Sequence, residues 1–147
     1  MTRGWLLDTN IVSELVKGAQ ANQGVVAWVS QRDESELFIS VITLGEIVKG
    51  IGLAEARGRD MRRQREFLEQ ELPARFSGRI LAFDSAAAWI WGRLMQQLRG
   101  NRDDERRLAT DAQIASIAEA AGLTVCTRNR RDFAQLKIAI FDPFSSG

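Results

Sequence analysis

Trp5-Leu6-Leu7-Asp8-Thr9-Asn10-Ile11-Val12-Ser13-Glu14-Leu15-Val16-Lys17-Gly18 is the stretch that decides the fold. The apolar run 5–7 ends abruptly at the polar trio Asp8-Thr9-Asn10, whose side chains are good helix caps. Ile11, Val12, Leu15 and Val16 then recur at helical spacing until Gly18 stops them. The stretch therefore predicts a buried strand, a cap and a helix, in that order.

The same alternation continues outward. Residues 22–33 repeat the helical period with Val25, Val26 and Val29, and 36–40 hold a second strand around Leu37-Phe38-Ile39. Thr43 opens a helix carrying Leu44, Ile47, Val48 and Ile51. Residues 55–72 form a charged amphipathic helix or helix pair. Its apolar side is Met61, Leu68 and Leu72, and Arg62–Glu66 and Arg65–Glu69 are spaced i,i+4. A third strand at 79–83 leads to Asp84-Ser85 and a helix to about 99. Another helix covers 105–121 and stops at Gly122, and strands follow at 124–126 and 138–141. Short apolar strands separated mainly by helices imply a mainly parallel sheet of about five strands with helices on both faces. The expected class is three-layer α/β, in one domain spanning 1–147.

Composition narrows the chemistry. The 147 residues include no histidine, no tyrosine and a single cysteine, Cys126. That excludes Ser-His-Asp and Cys-His nucleophilic catalysis and any zinc site built on Cys or His. A metal site here must be built from oxygen ligands, which suit magnesium or manganese. One cysteine forms no internal disulfide, the N-terminus meets a charge at Asp8 without a signal-peptide core, and no apolar stretch reaches membrane-span length. A cytoplasmic protein with no membrane contact is the expectation. Net charge is only +1, yet 17 of the 20 basic residues are arginine, which pairs bidentately with phosphate. A GC-rich genome would give the same bias.

In an open parallel sheet, ligands bind beyond the carboxyl ends of the strands. Asp8 falls there. Alone it reads as a helix cap, but Thr9 and Asn10 are themselves good capping residues, which leaves Asp8 free for another role. Asp111 is more informative, because Ile114, Ala115 and Ala118 lie within about 60° of it on a helical wheel. Its carboxylate thus faces the buried side, where it needs an arginine partner or a cation. Glu46 points more than about 100° away from the Leu44/Ile47/Ile51 stripe, and its spacing demands no role. Thr127-Arg128-Asn129-Arg130-Arg131-Asp132-Phe133 follows the fourth strand, again at the carboxyl edge, and reads as a solvated turn or as part of a site. Asp84 reads equally as a cap or a ligand.

Leu7-Asp8-Thr9-Asn10, Ser40-x-x-Thr43-x-x-Glu46-x-x-x-Gly50, Asp111-x-x-Ile114-Ala115 and Thr127-Arg128-Asn129, in this order, resemble the PIN-domain nucleases. The nearest likeness is to the VapC-type toxins of bacterial toxin–antitoxin pairs. Gly78-Arg79-Ile80-Leu81-x-Phe83-Asp84 and Ile140-Phe141-x-Pro143 extend it along nearly the whole chain. The resemblance implies a PIN-like fold and a Mg²⁺- or Mn²⁺-dependent endoribonuclease that cuts single-stranded or loop RNA. It also implies a cognate antitoxin partner, a homodimer to which 55–72 contributes, and DNA contact only through the antitoxin. Family metal ligands carry onto Asp8 and Asp111, with Glu46 as third acid on the strength of the resemblance alone. A fourth acid common in the family is replaced here by Asn129, which offers a carbonyl oxygen, while Asp132 is placed to supply the missing charge.

Phosphodiester hydrolysis needs an activated water and neutralised phosphate oxygens, which a divalent cation provides without histidine. Two carboxylates about 4 Å apart repel by about 4 kcal/mol at an effective dielectric near 20, a repulsion that a bound dication relieves. Asp8, Glu46, Asp111, Asn129 and Asp132 are accordingly the expected catalytic set. Thr9, Asn10 and Thr127 are expected to hydrogen-bond to it. Arg128, Arg130 and Arg131 are expected to hold substrate phosphates, and the cluster Arg57, Arg59, Arg62, Arg63 and Arg65 reads as a solvated helix face or a partner site. The tryptophans (Trp5, Trp28, Trp89, Trp91) are expected in the core or a dimer interface. Two other classes stay open. One is a non-catalytic PIN subunit of a DNA-binding repressor. The other is a receiver-like phospho-accepting domain, which would want an acid pair after the first strand and a lysine after the last, whereas Asp8 stands alone and Lys137 precedes the last strand.

Overall fold

The computed structural model describes residues 3–146, with backbone only at 145 and 146. Residues 1, 2 and 147 of the expected 1–147 domain lie outside it. The described chain runs β1 (Trp5–Leu7), α1 (Thr9–Leu15), α2 (Gln23–Ser30), β2 (Leu37–Ser40), α3 (Val41–Ala56), α4 (Arg62–Glu66), α5 (Leu72–Arg75), β3 (Ile80–Leu81), α6 (Ser85–Gln97), α7 (Arg102–Ala121), β4 (Thr124–Cys126), α8 (Arg130–Gln135) and β5 (Ile140–Phe141). A single π turn, Phe67–Glu71, joins α4 to α5.

The strands form one sheet in the order β3-β2-β1-β4-β5, and every pairing among them is parallel. Side chains alternate across it. Leu7 and Cys126 face a core with Ile11, Val12, Val25, Trp28 and Phe76. Leu6 and Val125 face the opposite core, with Ala112, Ile114, Ala115, Ala118 and Phe133. Both faces are covered, as three layers require. Trp5, Trp28 and Phe141 pack together, with Trp5 and Trp28 edge to face at 5.0 Å between ring centroids. Trp91 is partly buried and donates its Nε1–H to Ala109 O, whereas Trp89 is 79% exposed. Among the described residues, no helix is long and apolar enough to cross a membrane.

The structure departs from the expected elements where caps and short segments decide the outcome. The second long helix begins at Val41 rather than Thr43, because Ser40 accepts a hydrogen bond from Thr43 N and acts as its cap. The third and fifth strands shrink to two residues each. Arg65 pairs with Glu69 as its spacing implies, but also with Glu55, while Arg62 turns back to Asp60. The stretch after β4 is not a plain turn: Arg130–Gln135 is helical, and Phe133 anchors it in the core at zero exposure. Asp84 takes the capping alternative, accepting from Ala87 N at 2.9 Å.

The strand order places β1 between β2 and β4. The chain leaves β1 towards β2 on one side and returns from β3 to β4 on the other, so the crevice beyond the carboxyl ends of β1 and β4 is the topological switch point where such sheets hold ligands.

Candidate metal centre

Asp8 sits at that crevice, at the end of β1, and is 5% exposed. Sequence reasoning left it free of capping duty, and the structure corrects this. Asp8 is the N-cap of α1, with Oδ1 accepting from Thr9 N at 2.8 Å. The cap uses one oxygen only. Oδ2 accepts from Thr127 Oγ1 at 2.7 Å and from Asn10 Nδ2 at 3.3 Å. Burial raises the Asp8 pKa, opposed chiefly by the Thr127 hydroxyl and the Thr9 amide, with the charge of Glu46 adding to the rise.

Thr127, at the end of β4, is the hub that β4 brings to β1. Its hydroxyl donates to Asp8 and accepts from Asn10 Nδ2 at 3.2 Å and Asn129 N at 2.9 Å, which uses its whole hydrogen-bonding capacity. Asn10 Oδ1 in turn accepts from Arg128 N at 3.1 Å. Thr9, Asn10 and Thr127 thus occupy the supporting places expected of them.

Asp111 lies on α7, half-buried, with its Oδ2 accepting from Asn129 Nδ2 at 3.0 Å. Its pKa is raised to about 7, first by burial, then by the charges of Asp8, Asp132 and Glu46, against a lowering by Arg107. The arginine alternative for this residue fails in detail: Arg107 spends its hydrogen bonds on Asp104, Asp132 and Gln135. Glu46, on α3, is exposed, as its helical angle implies. It is nonetheless tied to the site, since Thr9 Oγ1 donates to Glu46 Oε1 at 2.6 Å and lies 3.3 Å from the buried Thr43 hydroxyl.

Two expectations are corrected at the fourth corner. Asn129 does not turn its carbonyl to the acids. Its amide nitrogen donates to Asp111 and, at 2.9 Å, to Asp132 Oδ2, the orientation that avoids an oxygen facing two carboxylates. Asp132 is not a spare charge, because Arg107 Nη1 pairs with its other oxygen. Of the expected phosphate-binding arginines, Arg130 pairs with Asp142 at 3.0 Å and the Arg128 guanidinium lies 5.2 Å from the centroid of the Phe144 ring. Arg131 is exposed. Arg107, which links α7 to α8, is the residue that sequence reasoning missed. Its position one helical turn before Asp111 was the available signal.

Asp8 and Asp111 are therefore joined through Thr127 and Asn129. Among the described residues, no three acids, cysteines or histidines are gathered as a ready-made cation cluster. The donors nevertheless fit a hard divalent cation in kind and charge. All are oxygens, and two are desolvated carboxylates whose ionisation is disfavoured by burial and by neighbouring acids, Glu46 for Asp8 and Asp8 for Asp111 among them. Beside Glu46, a largely apolar cavity of about 350 Å³ opens between α1, α3 and α4, lined by Val12, Val16, Ile47, Met61 and Phe67, with Thr9 and Lys17 at its margin.

Comparison with known proteins identifies the family of the fold. The PIN-domain family model matches residues 5–139. Toxin FitB of Neisseria gonorrhoeae is 34% identical over 139 residues, covering 95% of this chain and 97% of FitB. The VapC ribonuclease Y4jK of Sinorhizobium fredii is 32% identical, covering 95% and 96%. The solved structure of FitAB bound to an IR36 DNA fragment superposes with a TM-score of 0.78 at 30% identity, covering 95% of each chain. By its sheet order, its acids at the switch point and these similarities, the chain belongs to the PIN-domain family.

Proposed function

We propose that this protein is the toxin of a bacterial toxin–antitoxin pair, a divalent-cation-dependent endoribonuclease that cuts single-stranded or loop RNA and is silenced by a cognate antitoxin. The observation that carries this reading is the pairing of Asp8 and Asp111 as desolvated acids at the switch point of a parallel sheet, in a chain without histidine. The names of the similar FitB and VapC proteins support it.

Asp8 and Asp111 would hold Mg²⁺ or Mn²⁺, with Glu46 completing the set. When bound, the cation supplies charge neutralisation at the scissile phosphate and acidity to the attacking water. The chain's own residues supply the rest. Thr9 N, Thr127 and Asn10 fix both oxygens of Asp8, so its orientation is set before any ligand arrives. Thr9 aims Glu46 towards the same crevice. The Asp111 carboxyl, pushed up to about 7, holds on to its proton into the neutral range, and binding of a cation there would require that proton to leave. Arg128, just after β4, and the exposed Arg131, on α8, are the residues we assign to substrate phosphates, with Arg130 contributing where Asp142 releases it. The cavity beside Glu46 would receive an apolar side chain of the antitoxin. We also propose a homodimer, with DNA reached only through the antitoxin.

The test is cleavage of single-stranded RNA by the purified protein. Activity is expected with Mg²⁺ or Mn²⁺, with loss on adding EDTA and loss in Asp8→Asn and Asp111→Asn at unchanged circular dichroism. Undiminished cleavage by Asp111→Asn would refute the assignment. A second reading, a non-catalytic PIN subunit of a DNA-binding repressor, is favoured by Asn129 in the place of the family's fourth acid and by the DNA-bound FitAB structure. It predicts no cleavage under any cation.

A further inference from the structure

The corner of the site around Asn129 carries an inference about stoichiometry, resting on the metal-centre reading above. Asp111 and Asp132 approach one another from α7 and α8, and two facing carboxylates require a cation, a shared proton or a bridging donor between them. Here the bridge is an amide. Asn129 Nδ2 stands 3.0 Å from Asp111 Oδ2 and 2.9 Å from Asp132 Oδ2 and gives one hydrogen to each. An aspartate at 129 has no hydrogen to give and would place three carboxylates around the same point.

Charge is handled separately from hydrogen bonding. The Asp132 oxygen that faces away from Asn129 is paired with Arg107. Arg107 also donates to Asp104 at 3.0 Å and to Gln135 at 2.8 Å, so the guanidinium is held on three sides and locks α8 against α7. Asp132 thus has a cationic partner within the protein, which it shares with Asp104. The outer half of the site needs no second dication, while Asp8 and Asp111 have, among the described residues, no basic side chain in hydrogen-bond contact.

We propose that the Asn129 amide, backed by the Arg107–Asp132 ion pair, takes the place of a second divalent cation, so that the centre loads one cation, held by Asp8 and Asp111. Asn129 and Arg107 are positioning residues in this account. The amide sets the angle of the Asp111 carboxylate, and the guanidinium keeps Asp132 turned towards α7. Magnesium and manganese demand oxygen donors at short range, and an amide nitrogen bearing two hydrogens is closed to them.

Manganese titration of the intact protein, counting bound Mn²⁺ by loss of the free-ion electron paramagnetic resonance signal, tests this without reference to activity. One equivalent is expected for wild type and for Arg107→Lys, which keeps the positive charge. Asn129→Asp is expected to bind two equivalents, and Arg107→Gln more than one, because Asp132 is released. Asp8→Asn is expected to lose the wild-type equivalent. Two equivalents in wild type overturn the proposal and leave the metal-centre reading standing, whereas no binding by wild type removes both. One equivalent in Asn129→Asp overturns the role of the amide, and one in Arg107→Gln overturns the share assigned to Arg107.

Discussion

Thr127 Oγ1 donates to Asp8 Oδ2 at 2.7 Å across 119 residues of sequence, and this bond closes the carboxyl end of β1 onto that of β4. Replacing Thr127 by valine keeps the shape and deletes the hydroxyl. Asp8 loses a donor in a buried setting, and Asn10 and the Asn129 backbone N–H lose an acceptor in a partly buried one. We expect a loss of about 1–3 kcal/mol in urea unfolding, the cost of leaving buried partners unpaired. Thr127→Ser should restore most of it. Equal stabilities of wild type and Thr127→Val would show that the bond contributes nothing.

Stability should depend on pH in a direction opposite to that of a salt-bridged acid. Asp111 titrates near 7 in the folded chain against 3.8 ordinarily, and Asp8 is shifted the same way. Between about pH 4 and about pH 7 the folded state holds protons that the unfolded chain has released, so stability falls as pH rises through that window and levels off above it. Denaturant melts in EDTA should show this decline, and Asp111→Asn should flatten it. A wild-type stability that climbs across the same window contradicts the raised pKa values.

Cation binding should reverse the decline. Mg²⁺ or Mn²⁺ at about one hundred times its dissociation constant adds about 2.7 kcal/mol to the folded state. The rise in melting temperature should be larger above pH 7 than near pH 5, because the acids must ionise to bind. Asp8→Asn should abolish it, and a shift that survives in that variant indicates binding elsewhere.

Thr9→Val separates orientation from charge at Glu46. The carboxylate is exposed, so removing the Thr9 hydroxyl should change stability by no more than about 1 kcal/mol. If an oriented Glu46 serves the reaction, kcat should drop by about tenfold with KM little changed, the signature of an interaction made in the transition state. An unchanged kcat assigns Glu46 to the surface.

Gly4→Ala probes the entry to β1. A Cβ there would stand 2.5 Å from the carbonyl oxygen of Glu36, a backbone atom that cannot swing away. We expect a destabilisation of about 1–3 kcal/mol, read as a lowered denaturation midpoint, as for other overpacked positions. Gly50→Ala, which meets open space on α3, is the control and should be neutral or slightly stabilising.

Much of this was legible in the residues themselves. Leu6-Leu7 before Asp8 and Val125-Cys126 before Thr127 announce two strand ends, and parallel pairing sets their polar successors side by side. The wheel that put Asp111 beside Ile114, Ala115 and Ala118 found a half-buried acid because helical period survives into the tertiary structure. What local pattern does not carry is the partner. Nothing near Asp8 says that it caps α1 with one oxygen and serves the crevice with the other, since a carboxylate has room for both roles. Glu46 looks like surface because it is surface, and its tie to Thr9 crosses between two helices. The α8 helix escaped notice because all six residues from 127 to 132 are polar or charged, and Phe133 is the first apolar side chain after β4 to reach the core. Arg107 sits one turn before Asp111, which marks it as a neighbour of the site, but its pairing with Asp132 and the tie from Asn129 to Asp111 cross between α7 and the 129–132 segment, and spacing within one helix does not encode them.

The 119 residues between Asp8 and Thr127 also measure time. At 5–20 residues per second, a ribosome adds them in roughly 6–24 s. Until β4 has been made, the nascent polypeptide carries Asp8 without the Thr127 hydroxyl that fixes one of its oxygens. The proposed site therefore cannot assemble until translation has passed Thr127.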